Sequence, residues 1–250
     1  MPVILNETKQ ARYIIQTGEI GARPAASLFL MGKYYRQKEK LSKEETFMKL
    51  NEFMERHYKN YNAASWEDIL EDIAAKTVKY PLQEIASVGI TRPELTQIAS
   101  IGPVKYQKLL FTMLCYAKLY NMLSETNDGW VNTDIRELYK SARVTVKYKK
   151  DKFLYLNDIE SSGMISFSNK NDNLNMKVNF IDMSGKPVLN IEDFRELGYE
   201  YLYFTGQDRF IRCSECQRLI RQTGKNTRYC DSCKQKKRLE AKRNWWKNNH

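Results

Sequence analysis

The chain has 250 residues, 42% of them hydrophobic and 28% charged, and a formal net charge of +11. That length suits one large domain or two to three small ones, with enough apolar residues to bury real cores. No apolar run approaches the roughly 18 to 20 residues that span a bilayer. The opening stretch MPVILNETKQARYIIQTG lacks a basic segment followed by an apolar block and a small-residue cleavage site, so a cytoplasmic protein is expected.

The charge is unevenly placed. From Arg209 to His250 there are 13 Lys and Arg against three Asp and Glu, whereas the preceding 208 residues hold 28 basic and 27 acidic side chains. A basic block on a near-neutral body concentrates positive potential where an anionic partner can sit. Nucleic acid is the expected partner, with DNA favoured over RNA. A solvated tail, a protein contact and an anionic membrane surface are the competing readings.

In chain order, helical patterning dominates residues 1–101. SKEETFMKLNEFMERH opens with Ser42 and places Glu45 three residues on, a capping box, after which Phe47, Leu50, Phe53 and Met54 recur at helical spacing. SWEDILEDIAAKTVK starts in the same way at Ser65 and turns Ile69, Leu70 and Ile73 inward. Its acidic residues Glu67, Asp68, Glu71 and Asp72 suit a first helical turn and a wet face. In TRPELTQIAS, Thr91 is the cap, Pro93 lies in the first turn and Glu94 closes the box. An all-helical domain follows, and nothing in it is chemically distinctive; Arg12, Arg23 and His57 suit surface or hydrogen-bonded roles.

Residues 102–184 carry a different order. VKYQKLLFTMLCYAKLYNML is a long apolar helix with Cys115 buried in it, and the turn-rich loop SETNDGW follows. NTDIRELYKSA is a short helix capped by Asn132, and VKYKKDKFLYLNDIESS is a third helix stopped by Gly163. Apolar residues then alternate as Ile165, Phe167 and Leu174, Met176, Val178, Phe180 about a polar turn, a β-hairpin with one buried face. Three helices and a hairpin are the order of a winged helix-turn-helix, in which the third helix enters the major groove and the wing touches the backbone. Arg143, Lys147, Lys149, Lys150 and Lys152, with Lys170 at the wing tip, are the candidate phosphate contacts. No residue stands out as a base reader.

Residues 185–208 form a connector. NIEDFRELG predicts a short helix between a cap at Asn190 and a terminator at Gly198, and YEYLYFTGQDRFIRC predicts two aromatic strands around Thr205–Asp208.

Residues 209–250 hold two Cys-x-x-Cys pairs, Cys213 with Cys216 and Cys230 with Cys233, thirteen residues apart. Two intervening residues let a turn fold back so that both sulfurs face one point, and a second such knuckle completes a tetrahedron. Disulfides are disfavoured in a cytoplasmic protein, and a thioredoxin-like centre needs one such motif at a strand–helix junction rather than two. The spacing therefore predicts one structural zinc in a ribbon, with Thr223–Asn226 a turn at the tip of a hairpin. Four thiolates leave no position for a catalytic water. KQKKRLEAKRNWWKNN then predicts a basic helix from the last ligand. Lys234, Lys236, Lys237, Arg238, Lys242 and Arg243 are its candidate nucleic-acid contacts. Trp245 and Trp246 suit either stacking on bases or covering the ribbon's small core. The whole is expected to be mainly α, or α+β overall.

The segments KLLFTMLCYAKLYN and WVN, the helix and hairpin after them, and FIRCSECQRLI with NTRYCDSCK resemble zinc-ribbon proteins of bacteriophages and integrated elements of Gram-positive bacteria. The likeness covers Pro93 to Lys237 and, more loosely, IIQTGEIGARPAASLFLMGKYYRQ. It implies a phage or mobile-element origin and a bacterial host cytoplasm rather than a mechanism. Catalysis has little support: two histidines, no phosphate-binding Gly-x-x-x-x-Gly-Lys loop and no Gly-x-Gly-x-x-Gly fingerprint. The expected function is DNA binding in transcription regulation or replication, without enzymatic activity. A factor that binds or inhibits a host polymerase or defence complex is the alternative, and a metal-dependent nuclease the second alternative.

Overall fold

Side-chain caps fix most of the helix starts in the first part of the chain. In the computed structural model, which describes residues 3–169 and 175–249, four helices come first. They are α1 (Glu7–Thr17), α2 (Pro24–Gln37), α3 (Lys43–His57) and α4 (Ala63–Lys76), with a 3-10 turn at Thr77–Lys79. Asn6 accepts from the Lys9 amide at the head of α1, and the Ser42–Glu45 capping box opens α3. Helix α4 starts before the expected cap, because Asn62 rather than Ser65 takes that role and accepts from the Ser65 amide. Gly18 ends α1 at φ 71°, and a Cβ there would stand 2.2 Å from His57 Nδ1, so only glycine fits.

These elements make one compact unit, residues 4–86. Its core is built on Leu28, Met31, Leu50, Met54 and Leu70, all fully buried, with Ile14, Phe53 and Ile73 around them. Ile69, expected inside, is exposed. The unit closes on itself through the Ile85 amide, which donates to the Leu5 carbonyl at 2.9 Å. Arg12 donates to the Tyr34 hydroxyl and His57 rests against the Phe53 ring, both structural contacts.

The second unit begins at Ser87, so the helical domain ends some fifteen residues earlier than its local pattern implied. The elements are β1 (Val88–Thr91), α5 (Arg92–Ser100), α6 (Val104–Leu123), β2 (Trp130–Val131), α7 (Ile135–Ser141) and α8 (Lys149–Ser161). There follow β3 (Ile165–Phe167), β4 (Met176–Val178), β5 (Pro187–Ile191), α9 (Leu197–Thr205), β6 (Phe210–Arg212), β7 (Leu219–Arg221) and α10 (Asp231–Asn249). Strand β1 pairs antiparallel with β5, Val88 opposite Ile191, and that long-range partner draws α5 into this unit. The chain is mainly helical with small antiparallel sheets.

Helix α6 is the centre of the second unit, buried without interruption from Leu109 to Leu119. A charged pair lies inside it. Lys118 donates to both Glu94 oxygens at 2.9 Å and to the Asp182 carbonyl at 2.7 Å. Glu94 also accepts from the Thr91 amide at 2.7 Å and the Asp182 amide at 2.9 Å, so both charged groups of the pair are hydrogen-bonded. A three-stranded sheet, order β2-β4-β3, lies beside the helices, with Val131 opposite Met176 and Ile165 opposite Val178. Asp134, not Asn132, caps α7 and accepts from the Arg136 amide.

The connector differs most from expectation. Asn190 lies within β5, and YEYLYFT is helix α9 rather than a strand. Gly198 sits in the first turn of α9 instead of ending a helix, because a Cβ there would come within 1.8 Å of the Ala142 carbonyl oxygen. Close backbone approach, not a turn, demands this glycine. Tyr201 and Phe194 then bury against α6, their rings 5.2 Å from Phe111 and Tyr116.

Candidate metal centre and basic surfaces

Strands β6 and β7 form a two-stranded hairpin with Ile211 opposite Ile220, and the first cysteine pair lies in the turn between them. The hairpin therefore spans the knuckle Cys213–Cys216, while Thr223–Asn226 is a plain turn beyond it. The second pair straddles the start of α10, with Cys230 just before the helix and Cys233 in its first turn.

The four sulfurs lie within 4.8 Å of one another, and Cys216 Sγ stands 3.7 Å from Cys230 Sγ. Thiolates bound at about 2.3 Å from one tetrahedral centre stand about 3.8 Å apart, whereas a disulfide needs about 2.0 Å. The donor set fits a metal ion that favours sulfur. Cys213 and Cys230 are buried, and backbone amides point at the sulfurs: Cys230 N–H at 3.3 Å from Cys213, Cys233 N–H at 3.5 Å from Cys230.

Electrostatics agree with that fit. Burial pushes the Cys213 thiol up, but the amides of Cys216, Cys230 and Glu215 outweigh it and hold the group at about 6. Burial and then the neighbouring thiols push Cys233 well above its ordinary value. Four thiolates this close repel one another unless a cation neutralises them. Cys115 lies apart, fully buried in α6, where burial raises its pKa well above the ordinary thiol value.

The residues expected to touch nucleic acid divide into three groups. Around α8, Lys147 and Lys150 are exposed and lie 5.0 and 5.9 Å from the Tyr148 ring, and Lys152 lies 5.3 Å from Tyr139. Lys149 opens the helix; its side chain and Lys170 lie outside the described residues. Sequence reasoning missed Lys105 at the start of α6, whose ammonium stands 3.8 Å over the Tyr155 ring and extends the same basic and aromatic surface. Its neighbour Tyr106 donates to Asp158, which, with burial adding to it, pushes the Tyr106 phenol up to about 12.

Arg143 is engaged elsewhere. Its guanidinium makes a two-pronged pair with the buried Glu196 carboxylate and lies 5.5 Å over Tyr199. That pairing raises its pKa and ties one edge of the side chain, which stays partly exposed, to the body of the fold. No local signal marks this, since the partner is 53 residues away.

On α10, Lys234, Lys236, Lys237, Arg238, Lys242 and Arg243 are all exposed. Lys237 turns back to Glu215 at 2.9 Å and lies 5.0 Å over Tyr229, which fastens the helix start to the first knuckle. Trp245 and Trp246 meet edge to face at 5.6 Å and remain about half exposed, at 58% and 50%, so they do not cover the hairpin's core. Among the described residues, no helix is long and apolar enough to cross a membrane. No family model, curated protein or solved structure matches the chain.

Proposed function

We propose that this is a DNA-binding protein of the kind carried by phages and mobile elements, acting in transcription regulation or replication. On this reading Val104–Val178 works as a winged helix-turn-helix, and the four cysteines hold one structural zinc in a ribbon continued by the basic arm α10. The observation that carries it is the order helix, strand, helix, helix, strand, strand, with β2 pairing back onto β4. In that arrangement the third helix, here α8, is the one that enters a major groove. Its start brings Lys147 and Lys150 to the surface, with Lys105 and Tyr155 beside them.

Zinc suits the centre because all four donors are sulfur at tetrahedral spacing and no position is left for water. Bound there, it supplies folding free energy and no reactive group. The lysines position phosphates and the metal holds the frame.

The test is fluorescence anisotropy of labelled duplexes across a salt series. Replacing Lys147 and Lys150 together with Ala should weaken binding similarly on all sequences and shallow the salt slope by up to about 0.9 per lost contact. Unchanged affinity in a folded variant would move this surface to a protein partner. A pull-down from host lysate that survives nuclease treatment would then identify the host complex as the target.

A further inference from the structure

The cysteine knuckle and the turn between α7 and α8 belong to distant parts of the chain, yet one buried carboxylate stands between them. Glu196, 3% exposed, takes the two-pronged pair from Arg143, which follows the C-cap Ala142 of α7. From its other side Arg218 Nε approaches at 3.7 Å. Arg218 belongs to the knuckle, because its carbonyl accepts the Cys213 amide at 2.9 Å.

Three further features make this connection stiff. Arg218 Nε is buried and has no hydrogen-bond partner among the described residues, so the Glu196 charge is what compensates it. Arg195, next to Glu196, donates to the Cys216 carbonyl at 3.2 Å, a second link to the same knuckle. Arg143 is in the left-handed region at φ 51°, its carbonyl takes the Lys108 ammonium at 2.5 Å, and Gly198 lies against the Ala142 carbonyl. A strained backbone of this kind persists only where its surroundings hold it.

We propose that Glu196 is a positioning residue that ties the cysteine knuckle to the α7–α8 turn, so that metal occupancy at the four cysteines governs how firmly α8 is held. Metal binding and folding of a knuckle are one equilibrium. Losing the metal releases the backbone that places Arg218 and the Cys216 carbonyl, and Glu196 is left with Arg143 alone. The consequence for nucleic acid rests on the function proposed above: α8 binds more weakly without the metal, although no ligand cysteine touches the partner. By linkage, a duplex on α8 also tightens metal binding by the same factor.

Hydrogen exchange on the full chain tests the connection without reference to any partner. Four samples are compared: metal-loaded and chelator-stripped wild type, and metal-loaded Glu196→Gln and Arg143→Ala. Amides from Ala142 to Lys150 should exchange at least about tenfold faster in the stripped protein and in both loaded variants, because each removes one link of the relay. Segment 213–233 should stay protected in the loaded variants. Equal protection of the turn with and without metal overturns the proposal, and so does a loaded Arg143→Ala protein that exchanges like wild type. The Arg143 variant keeps the test decisive should Glu196→Gln fail to fold. In a duplex-binding arm, Lys150→Ala should cost about tenfold in affinity in wild type and far less in the Arg143→Ala background. Fully additive losses overturn the link to α8. Should Lys150→Ala cost nothing in wild type, the nucleic-acid reading falls, and the exchange rates still decide whether the relay exists.

Discussion

Glu94 is 1% exposed and Lys118 4%, and neither ion is free to be lost singly. A buried ion pair contributes little net stability, but removing one partner strands the other in a low dielectric. Lys118→Met should therefore cost about 3–5 kcal/mol, read as a lower urea midpoint with an unchanged slope. Pairing it with Glu94→Gln should recover much of that loss, since an uncharged amide is far cheaper to bury. Half of this site is visible in the sequence: Thr91, Pro93 and Glu94 announce a helix start. The other half is not, because Lys118 lies 24 residues on, inside an apolar helix where a lysine looks out of place. Arg143 and Gly198 are the same lesson with the opposite outcome. Their sequence neighbours suggest a surface contact and a helix stop, yet each meets a group more than 50 residues away: Arg143 pairs with Glu196 while staying partly exposed, and Gly198 lies against the Ala142 carbonyl.

Elements divide along the same line. Helices with their own caps, such as α3 and α5, are legible because cap, first turn and apolar stripe lie within one short window. Strand β1 is not, since its partner β5 is about 100 residues away. The α9 stretch reads as a strand because Tyr, Phe and Leu suit both, and what decides is burial of Tyr201 against α6; the second expected strand is β6. The cysteine hairpin is legible down to the four sulfurs that cluster in it, because four soft donors at fixed spacing have few other uses. Its strands, though, flank the first knuckle rather than fill the gap between the two. Burial within β6 and β7 is confined to Phe210 and Leu219, so this element has too small a core to stand without its centre. Cys230→Ser should accordingly release the metal, bringing metal content from about one per chain to none. Amides of segment 213–233 should lose protection while those of α6 keep theirs. Retention of metal by the variant, or a disulfide among the four cysteines, would contradict this account of the element.

At the scale of the whole molecule, charge and the cysteine cluster meet at the start of α10. Its seven basic residues face one acidic residue beyond the last ligand, Glu240, so the field of the chain is concentrated there. Screening limits that field to about 8–10 Å at ordinary ionic strength, so only a partner brought close to α10 feels it. Lys237 does not belong wholly to the arm, because its pair with Glu215 and its seat over Tyr229 fasten the helix to the knuckle. A truncation that tests the arm alone must spare it. Ending the chain after Arg238 keeps the Lys237 contacts and all four cysteines, and removes Lys242, Arg243, Lys247 and both tryptophans. Metal content should stay at about one per chain. If DNA is the partner, loss of up to three phosphate contacts should reduce the slope of log affinity against log salt by up to about 2.7, and lower affinity at moderate salt by at least about tenfold. Base-independent loss would identify the arm as a backbone grip, with α8 left to supply any sequence preference. If affinity and slope are unchanged while a nuclease-resistant host complex disappears from the pull-down, the arm serves a protein partner instead. Should neither change, the basic run is a solvated helix, and the case for nucleic acid would rest on α8 alone.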